Sequence, residues 1–335
     1  MAELPAPESA LTDMIYRAWE ERAESWDGLG FSPSLLGTEC DRALWYQLHW
    51  APAKERFDGR MLRLFRTGQI EEDRIIEDLI MCGLDVDPVD PATGKQFNVR
   101  ALAGHVRGKT DGRINSGVPE APKKTHIVEA KSHSEKSFNK LVQAGPGNLI
   151  EGKFDHWVQC QVYMHVLGID RTLYSATCKN TDRRWNDRVK YDHEFGVWLF
   201  ARLKRIIESP RPAPPISAKR NAPDCRFCKA KPLCLGESFA RLNCRTCLHS
   251  TPLLTGDASW DCARWSKPLT ADEQRAACPA HLFVPDLVPG EVIDTDEEAE
   301  TVTYRLNDGR LWTDGRDTSD EPVAGESDPD KRERE

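Results

Sequence analysis

Two acids and a lysine carry the chemistry this chain could do. Asp111 stands in Thr110-Asp111-Gly112, and eighteen residues on, Ile127-Val128 leads into Glu129-Ala130-Lys131. The apolar run reads as a strand, and its period of two sets Glu129 and Lys131 on one face. A Gly/Pro/Lys-rich connection between the islands makes them neighbouring strands of a hairpin, which brings the second carboxylate to the pair. Two such carboxylates bind Mg²⁺ or Mn²⁺ through oxygen, and the metal polarises a phosphate and lowers the pKa of water. A lysine beside them can orient or deprotonate that water and offset charge on the pentacovalent phosphate. The set suits metal-dependent phosphodiester hydrolysis. Taken alone, Glu-x-Lys is equally a cross-strand ion pair on a surface hairpin, so the surrounding elements decide.

Those elements are legible in part. Leu11, Met14, Ile15 and Ala18 have the spacing of an amphipathic helix over residues 9–25 that packs on the body. Ser32-Pro33 suits the start of a second helix running through Cys40 and Arg42. Met61 to Gly83 forms a long helix with an apolar stripe, and Gly68 and Glu72 lie one turn apart on it. A glycine inside a helix implies close approach to the backbone there. Residues 85–100 read as loop or short strands, and the chain after Lys131 is polar until Phe154. Phe154 to Leu167, closed by Gly168, is a helix that sets Gln159 and Tyr163 on one face. Leu173–Cys178 and Lys190–Asp192 read as a strand pair, and Val197–Glu208 as a helix stopped before Pro210.

The 335 residues suffice for about two domains, and the N-terminus has neither a basic nor an apolar leader region. No run approaches eighteen apolar residues. A soluble, cytoplasmic protein with no membrane partner is expected. The net charge of −8 is unevenly placed, with 17 acidic and 6 basic residues from Asp286 onward against 37 acidic and 40 basic before it. The mildly basic body can still bind a polyanion.

Eleven cysteines are many for such a chain, and seven fall between Cys225 and Cys278. Their spacing points to metal ligation rather than a disulfide framework. Five prolines between Pro210 and Pro223 form an extended connector into Cys225-x2-Cys228-x5-Cys234. Cys244-x2-Cys247, followed by Cys278-x2-His281, suits tetrahedral Zn²⁺, with Cys262 or His281 as the fourth ligand and His249 a weaker candidate. Arg245, Arg264, Lys267 and Trp265 beside them could touch DNA, although docking against another domain is the usual role of such a module. Cys82, Cys160 and Cys178 read as core.

In their order and joint occurrence, Gly68-x-x-x-Glu72, Asp111-Gly112, Glu129-Ala130-Lys131, Gln159-x-x-x-Tyr163 and Cys40 with Cys225, Cys228 and Cys234 resemble the PD-(D/E)XK nuclease superfamily. They are most similar to its RecB-like branch that carries an iron–sulfur cluster, as in CRISPR-associated exonucleases, across residues 30–236. The resemblance implies an α/β fold with a mixed central sheet flanked by helices, the restriction-endonuclease-like core. It also implies that Asp111, Glu129, the Ala130 carbonyl and Glu72 are Mg²⁺ or Mn²⁺ ligands and that Lys131 is the catalytic lysine. Gln159 and Tyr163 would contact DNA and the active site. Thr110 stands where the superfamily's name has proline, and Glu72 where the branch often has histidine. Cys40, Cys225, Cys228 and Cys234 would hold a [4Fe–4S] cluster, with Zn²⁺ the alternative, as a structural clamp.

The expectation is therefore a Mg/Mn-dependent deoxyribonuclease, an exonuclease on single-stranded or free DNA ends that leaves 5′-phosphates. It would act in recombination, repair or processing, in a phage or mobile-element setting, with a recombination or replication protein as partner. A structure-selective endonuclease and a non-catalytic DNA-binding assembly subunit on the same fold are the alternatives. The expected organisation is a nuclease domain over 1–240, a zinc-binding module over 241–288, a small β-hairpin over 289–316 and a disordered acidic tail over 317–335.

Overall fold

A computed structural model describes residues 9–23, 28–217 and 219–315; the acidic tail expected over 317–335 lies outside them. The sequence's long helix is α3, Gly59–Met81, whose start is fixed by Asp58 Oδ1 accepting from the Met61 N–H at 2.6 Å. Before it come α1, Ala10–Glu21, and α2, Asp41–Leu48. The helix read from Ser32 onward is instead a 3₁₀ turn at Pro33–Leu35, a break, and then α2 with Cys40 as its N-cap. Helix α1 packs on α3 through the Gly59 N–H, which donates to Glu20 Oε1 at 2.6 Å, but it buries none of its residues.

Residues 85–101 hold two short strands, β1 (Asp85–Asp87) and β2 (Asn98–Ala101), followed by β3 (Val106–Lys109), β4 (Gly112–Ser116) and β5 (His126–His133). After β5 the chain is helical, contrary to its polar reading, in α4 (Glu135–Ala144) and α5 (Leu149–Gly152), before α6 (Phe154–Leu167). Phe138, Leu141 and Val142 of α4 stand at helical spacing and the first two are buried, a period that the polar reading passed over. Strands β6 (Arg171–Cys178) and β7 (Arg184–Lys190) and helix α7 (His193–Glu208) follow. Strand β7 falls earlier than expected. Its Asp187 is buried as acceptor for the Gly147 and Leu149 N–H groups, which a polar sequence conceals.

The five-stranded sheet has the order β1-β4-β5-β6-β7, antiparallel except for the parallel β5/β6 pair. Parallel neighbours need a long crossover, and α4 to α6 supply it. Strand β5 is buried along most of its length, with helices on both sides. The molecule is thus mixed α/β with a central mixed sheet flanked by helices.

Beyond α7, the connector returns along α2: Trp45 Nε1 donates to the Ser209 carbonyl at 2.9 Å and Arg42 to that of Ala213 at 3.0 Å. It leads to α8, Lys231–Cys234. A three-stranded sheet, β8 (Ser250–Pro252), β9 (Trp260–Cys262) and β10 (Lys267–Leu269), precedes α9 (Ala271–Arg275). The described residues end in a meander of β11 (Gly290–Asp296), β12 (Thr301–Leu306) and β13 (Leu311–Gly315), in the stretch expected to form a small hairpin. Trp260, Phe283 and Tyr304 from this part share one apolar cluster with Phe31, Leu44 and Trp45.

Arg245 belongs to that seam. At 1% exposure it donates to the Leu48 and Leu29 carbonyls at 3.0 Å and to Gln274 Oε1 at 2.7 Å, and stacks 3.6 Å over Trp50. It is a docking residue, in the role held the more usual for such a module, and it is too deeply buried to reach DNA. Arg264 and Lys267 are paired with Glu300 and Glu273.

Candidate active site

Strand register does the first positioning. Gly112 pairs with Val128 across β4/β5, so Asp111, one residue before β4, falls opposite Glu129. Asp111 Oδ2 accepts the Ala130 N–H at 2.8 Å, and its own N–H reaches the Val128 carbonyl. Glu129 and Lys131 alternate inward on β5, and the ammonium is ion-paired with Glu129 Oε1. Helix α3 crosses the strand and brings Glu72 to the same place, close enough for Asp111 and Lys131 to act on its charge.

Three carboxylates therefore face one ammonium in a poorly solvated cleft. Glu129 is 1% exposed, and burial pushes it up to about 7, with Asp111 and Glu72 adding to the rise and Lys131 opposing it. Glu72 is also raised to about 7, by burial and then by Asp111. Burial raises Asp111 as well, against the pull of Lys131 and the Ala130 N–H. Burial works against the charge of Lys131, but Glu129 and Asp111 more than offset it and hold it protonated. Glu129 Oε2 is buried with no hydrogen-bond partner. An all-oxygen donor set with an orphaned carboxylate oxygen and excess negative charge fits a hard divalent cation. As placed, no three His, Cys, Asp or Glu groups among the described residues close on a single point, and in the cleft Lys131 stands among the carboxylates.

A pH prediction follows from Glu129. Its folded pKa lies above its ordinary 4.5, so the folded state binds the extra proton between those values and loses stability as pH rises through them. In EDTA, Glu129→Gln should melt close to wild type at pH 4.5 and progressively above it up to about pH 7, levelling beyond. A melting-temperature gap that stays constant between pH 5 and 8 would refute this origin.

Gln159 and Tyr163 lie on the cleft side of α6, both buried, with Gln159 Nε2 donating to the Tyr163 hydroxyl at 2.9 Å. Burial and then Glu129 raise the Tyr163 phenol, which places it against the acids. Gly68 has room: an added Cβ would meet only Ser132 Oγ, at 4.0 Å. No protein group among the described residues presses on it.

Sequence reading missed a second polar group in the cleft. His133 continues the Glu129, Lys131 alternation of β5, and its Nε2 lies 2.8 Å from the Tyr174 hydroxyl, while Nδ1 meets Ser137 Oγ at 2.9 Å. His156, three residues before Gln159, reaches the same hydroxyl at 2.6 Å. Burial, reinforced by nearby lysines, pushes His133 down to about 4 and His156 to about 3, so both are neutral. The period of two extended one step past Lys131 would have found the first. Tyr174→Phe removes a hydroxyl shared by a buried and a half-buried imidazole and is expected to cost about 2 kcal/mol in denaturant unfolding; a loss under about 0.5 kcal/mol would refute the shared bond.

The cysteines gather in two places. Cys40, Cys225, Cys228 and Cys234 line one pocket, and the Cys228 thiol is raised first by burial and then by the other three. Cys244, Cys247, Cys262 and Cys278 line another, and burial, then Cys278, Cys247 and Cys262, push Cys244 up to about 11. His281 borders that pocket, but its Nε2 lies 3.3 Å from Thr246 Oγ1, and His249 is on the rim. Four thiols at each pocket have the donor chemistry of a soft metal or cluster, although as placed no three of them close on one point. Cys160 and Cys178 are buried, whereas Cys82 at the end of α3 is exposed, which corrects its assignment to the core.

No protein-family model and no curated protein matches the chain. Among solved structures, an alkaline exonuclease (LHK-Exo) from Laribacter hongkongensis aligns over 57% of this chain and 90% of its own, at 11% identity and TM-score 0.36. The same enzyme in complex with dAMP gives the same coverage at 14% and 0.39. SSO0001 aligns over 68% of this chain and 96% of its own, at 12% and 0.35. Likeness at that level is too weak to bear on function, which must be read from the cleft. No helix among the described residues is long and apolar enough to cross a membrane.

Proposed function

We propose that the chain is a Mg²⁺- or Mn²⁺-dependent deoxyribonuclease of the PD-(D/E)XK type, working from DNA ends. The convergence of Asp111, Glu129 and Glu72 on Lys131, with Glu129 Oε2 left buried and unpartnered, carries this reading. Asp111, Glu129, Glu72 and the Ala130 carbonyl would hold the metal, which supplies Lewis acidity toward the phosphate and toward water. The protein's own groups do the rest. Lys131, kept charged by its neighbours, donates to the phosphate or to the attacking water and offsets developing charge. The Asp111–Ala130 bond fixes one carboxylate to the strand that carries the other. Tyr163 and Gln159 brace the Glu129 side of the cleft from α6.

We further propose a [4Fe–4S] cluster on Cys40, Cys225, Cys228 and Cys234, and Zn²⁺ on Cys244, Cys247, Cys262 and Cys278, with His281 held aside by Thr246. The resemblance to the RecB-like branch supports the cluster and the action from ends. In Mn²⁺ the purified protein should degrade linear single-stranded DNA to short products bearing 5′-phosphates and leave the same DNA intact as a circle. Cleavage of the circle at the linear rate would make it an endonuclease, and intact linear DNA of either strandedness would overturn the nuclease reading.

A further inference from the structure

Phe227 is 86% exposed, on the loop between Cys225 and Cys228. A ring so placed contributes nothing to the core. Its neighbour Arg226 holds its guanidinium 5.3 Å from the ring centre. The same loop carries Lys229, which lies 6.0 Å from the ring centre of Phe57 and pairs with Glu55. Phe57 in turn meets Phe65 edge to face at 4.9 Å, and both are more than a third exposed. Phe65 and Glu72 are seven residues apart on α3, nearly two full turns, so they share a face about 10 Å apart. The exposed rings and cations thus run from the cysteine loop to the acidic cleft.

The charge selects the partner. Residues 54–70 contain five basic residues and two acids, of which Glu55 is taken by Lys229 and Asp58 caps α3. Among the described residues, Arg56, Arg63 and Arg226 form no ion pair. An apolar protein surface would not match this density of cations, whereas a polyanion with flat rings would. In a duplex the base faces are hidden; in a single strand they are open to stacking.

We infer that Phe227, Phe57 and Phe65, with the unpaired cations Arg226, Arg56 and Arg63, form a stacking platform for single-stranded DNA that feeds the acidic cleft. The direction of feeding rests on the nuclease reading; the binding surface does not. It also gives the cysteine loop a role beyond clamping the frame, that of presenting Phe227 to the strand.

Fluorescence anisotropy of the full chain with a labelled single-stranded oligonucleotide and a blunt duplex, in EDTA so that nothing is cut, tests this. Phe227→Ala should weaken single-strand binding about tenfold, as the loss of one stacked base does, and Phe227→Trp should restore it. Duplex affinity should change less than about twofold in both. Unchanged single-strand affinity in Phe227→Ala, or equal losses on both ligands, would overturn the platform. Phe227-dependent binding by a wild-type protein that hydrolyses no DNA in Mn²⁺ would sink the nuclease reading and leave the platform standing; full hydrolysis with Phe227-independent binding would do the reverse.

Discussion

Asp111→Asn is expected to lower DNA hydrolysis in Mn²⁺ by about 10²- to 10³-fold, and Lys131→Ala by a similar factor, while both proteins stay folded. The asparagine keeps an oxygen for the Ala130 N–H, so the 2.8 Å bond that joins the Asp111 turn to β5 survives and the backbone has no reason to move. What disappears is one negative charge from a cleft that concentrates three. Metal-free stability should rise slightly, since Asp111 raises the pKa values of both Glu72 and Glu129. Lys131→Ala acts differently. It leaves Glu129 buried with no counter-charge, so Glu129 takes up its proton at higher pH than in the wild type. Activity lost in Asp111→Asn should come with lost Mn²⁺ binding by calorimetry, whereas Lys131→Ala should retain more of it. Both variants cutting DNA within threefold of wild type would remove this cleft as the catalytic centre. An assembly subunit built on the same fold would show no hydrolysis in the wild type and identical DNA binding in all three proteins.

How much of this was visible in the residues depends on whether local order or distant partners set each position. The β4/β5 hairpin was legible because Gly112 and the apolar Ile127-Val128 run declare a turn and a strand, and their pairing puts Asp111 opposite Glu129 without further help. The end of α6 was legible for the same reason: Gly168 adopts φ +65°, which a glycine takes at no steric cost. Helix α4 was passed over although Phe138, Leu141 and Val142 recur at i, i+3 and i+4, because polar residues fill the rest of its short span. Arg245 was not legible, because its basic side chain suggests solvent or phosphate until Leu48, Leu29 and Gln274 are brought around it from elsewhere in the chain. His133 and His156 have no sequence signature because the atom that unites them is the hydroxyl of Tyr174, on a strand reached only through the parallel crossover.

Cys40→Ser should unfold the protein more readily than any single change in the cleft. Cys40 and Cys225 are 185 residues apart in sequence, and a covalent or metal link across a loop that long removes several kcal/mol of unfolded-chain entropy, about 5 kcal/mol in the loop-closure picture. That is comparable with the whole stability of many domains. Direct contacts share the task. The buried Arg202 on α7 donates to the Thr38 and Glu39 carbonyls and to Asp41, fixing the backbone on both sides of Cys40, and Arg42 and Trp45 pin the connector that leads to Cys225. The frame at Cys40 is therefore built without the sulfurs, which suits a site assembled before it is filled. With the proposed cluster on the first quartet, Cys40→Ser, Cys225→Ser and Cys234→Ser should each lose iron and melt at least about 10 °C lower, while Cys82→Ser, with an exposed thiol outside both quartets, keeps wild-type metal content and melting. Zinc should stay with the protein in the first three variants and depart in Cys247→Ser, because the second quartet lines a separate pocket. Loss of both metals from either set would mean that the quartets are one cooperative unit, and full iron and melting temperature in Cys40→Ser would show that the contacts of Arg202 alone hold the two ends of the chain together.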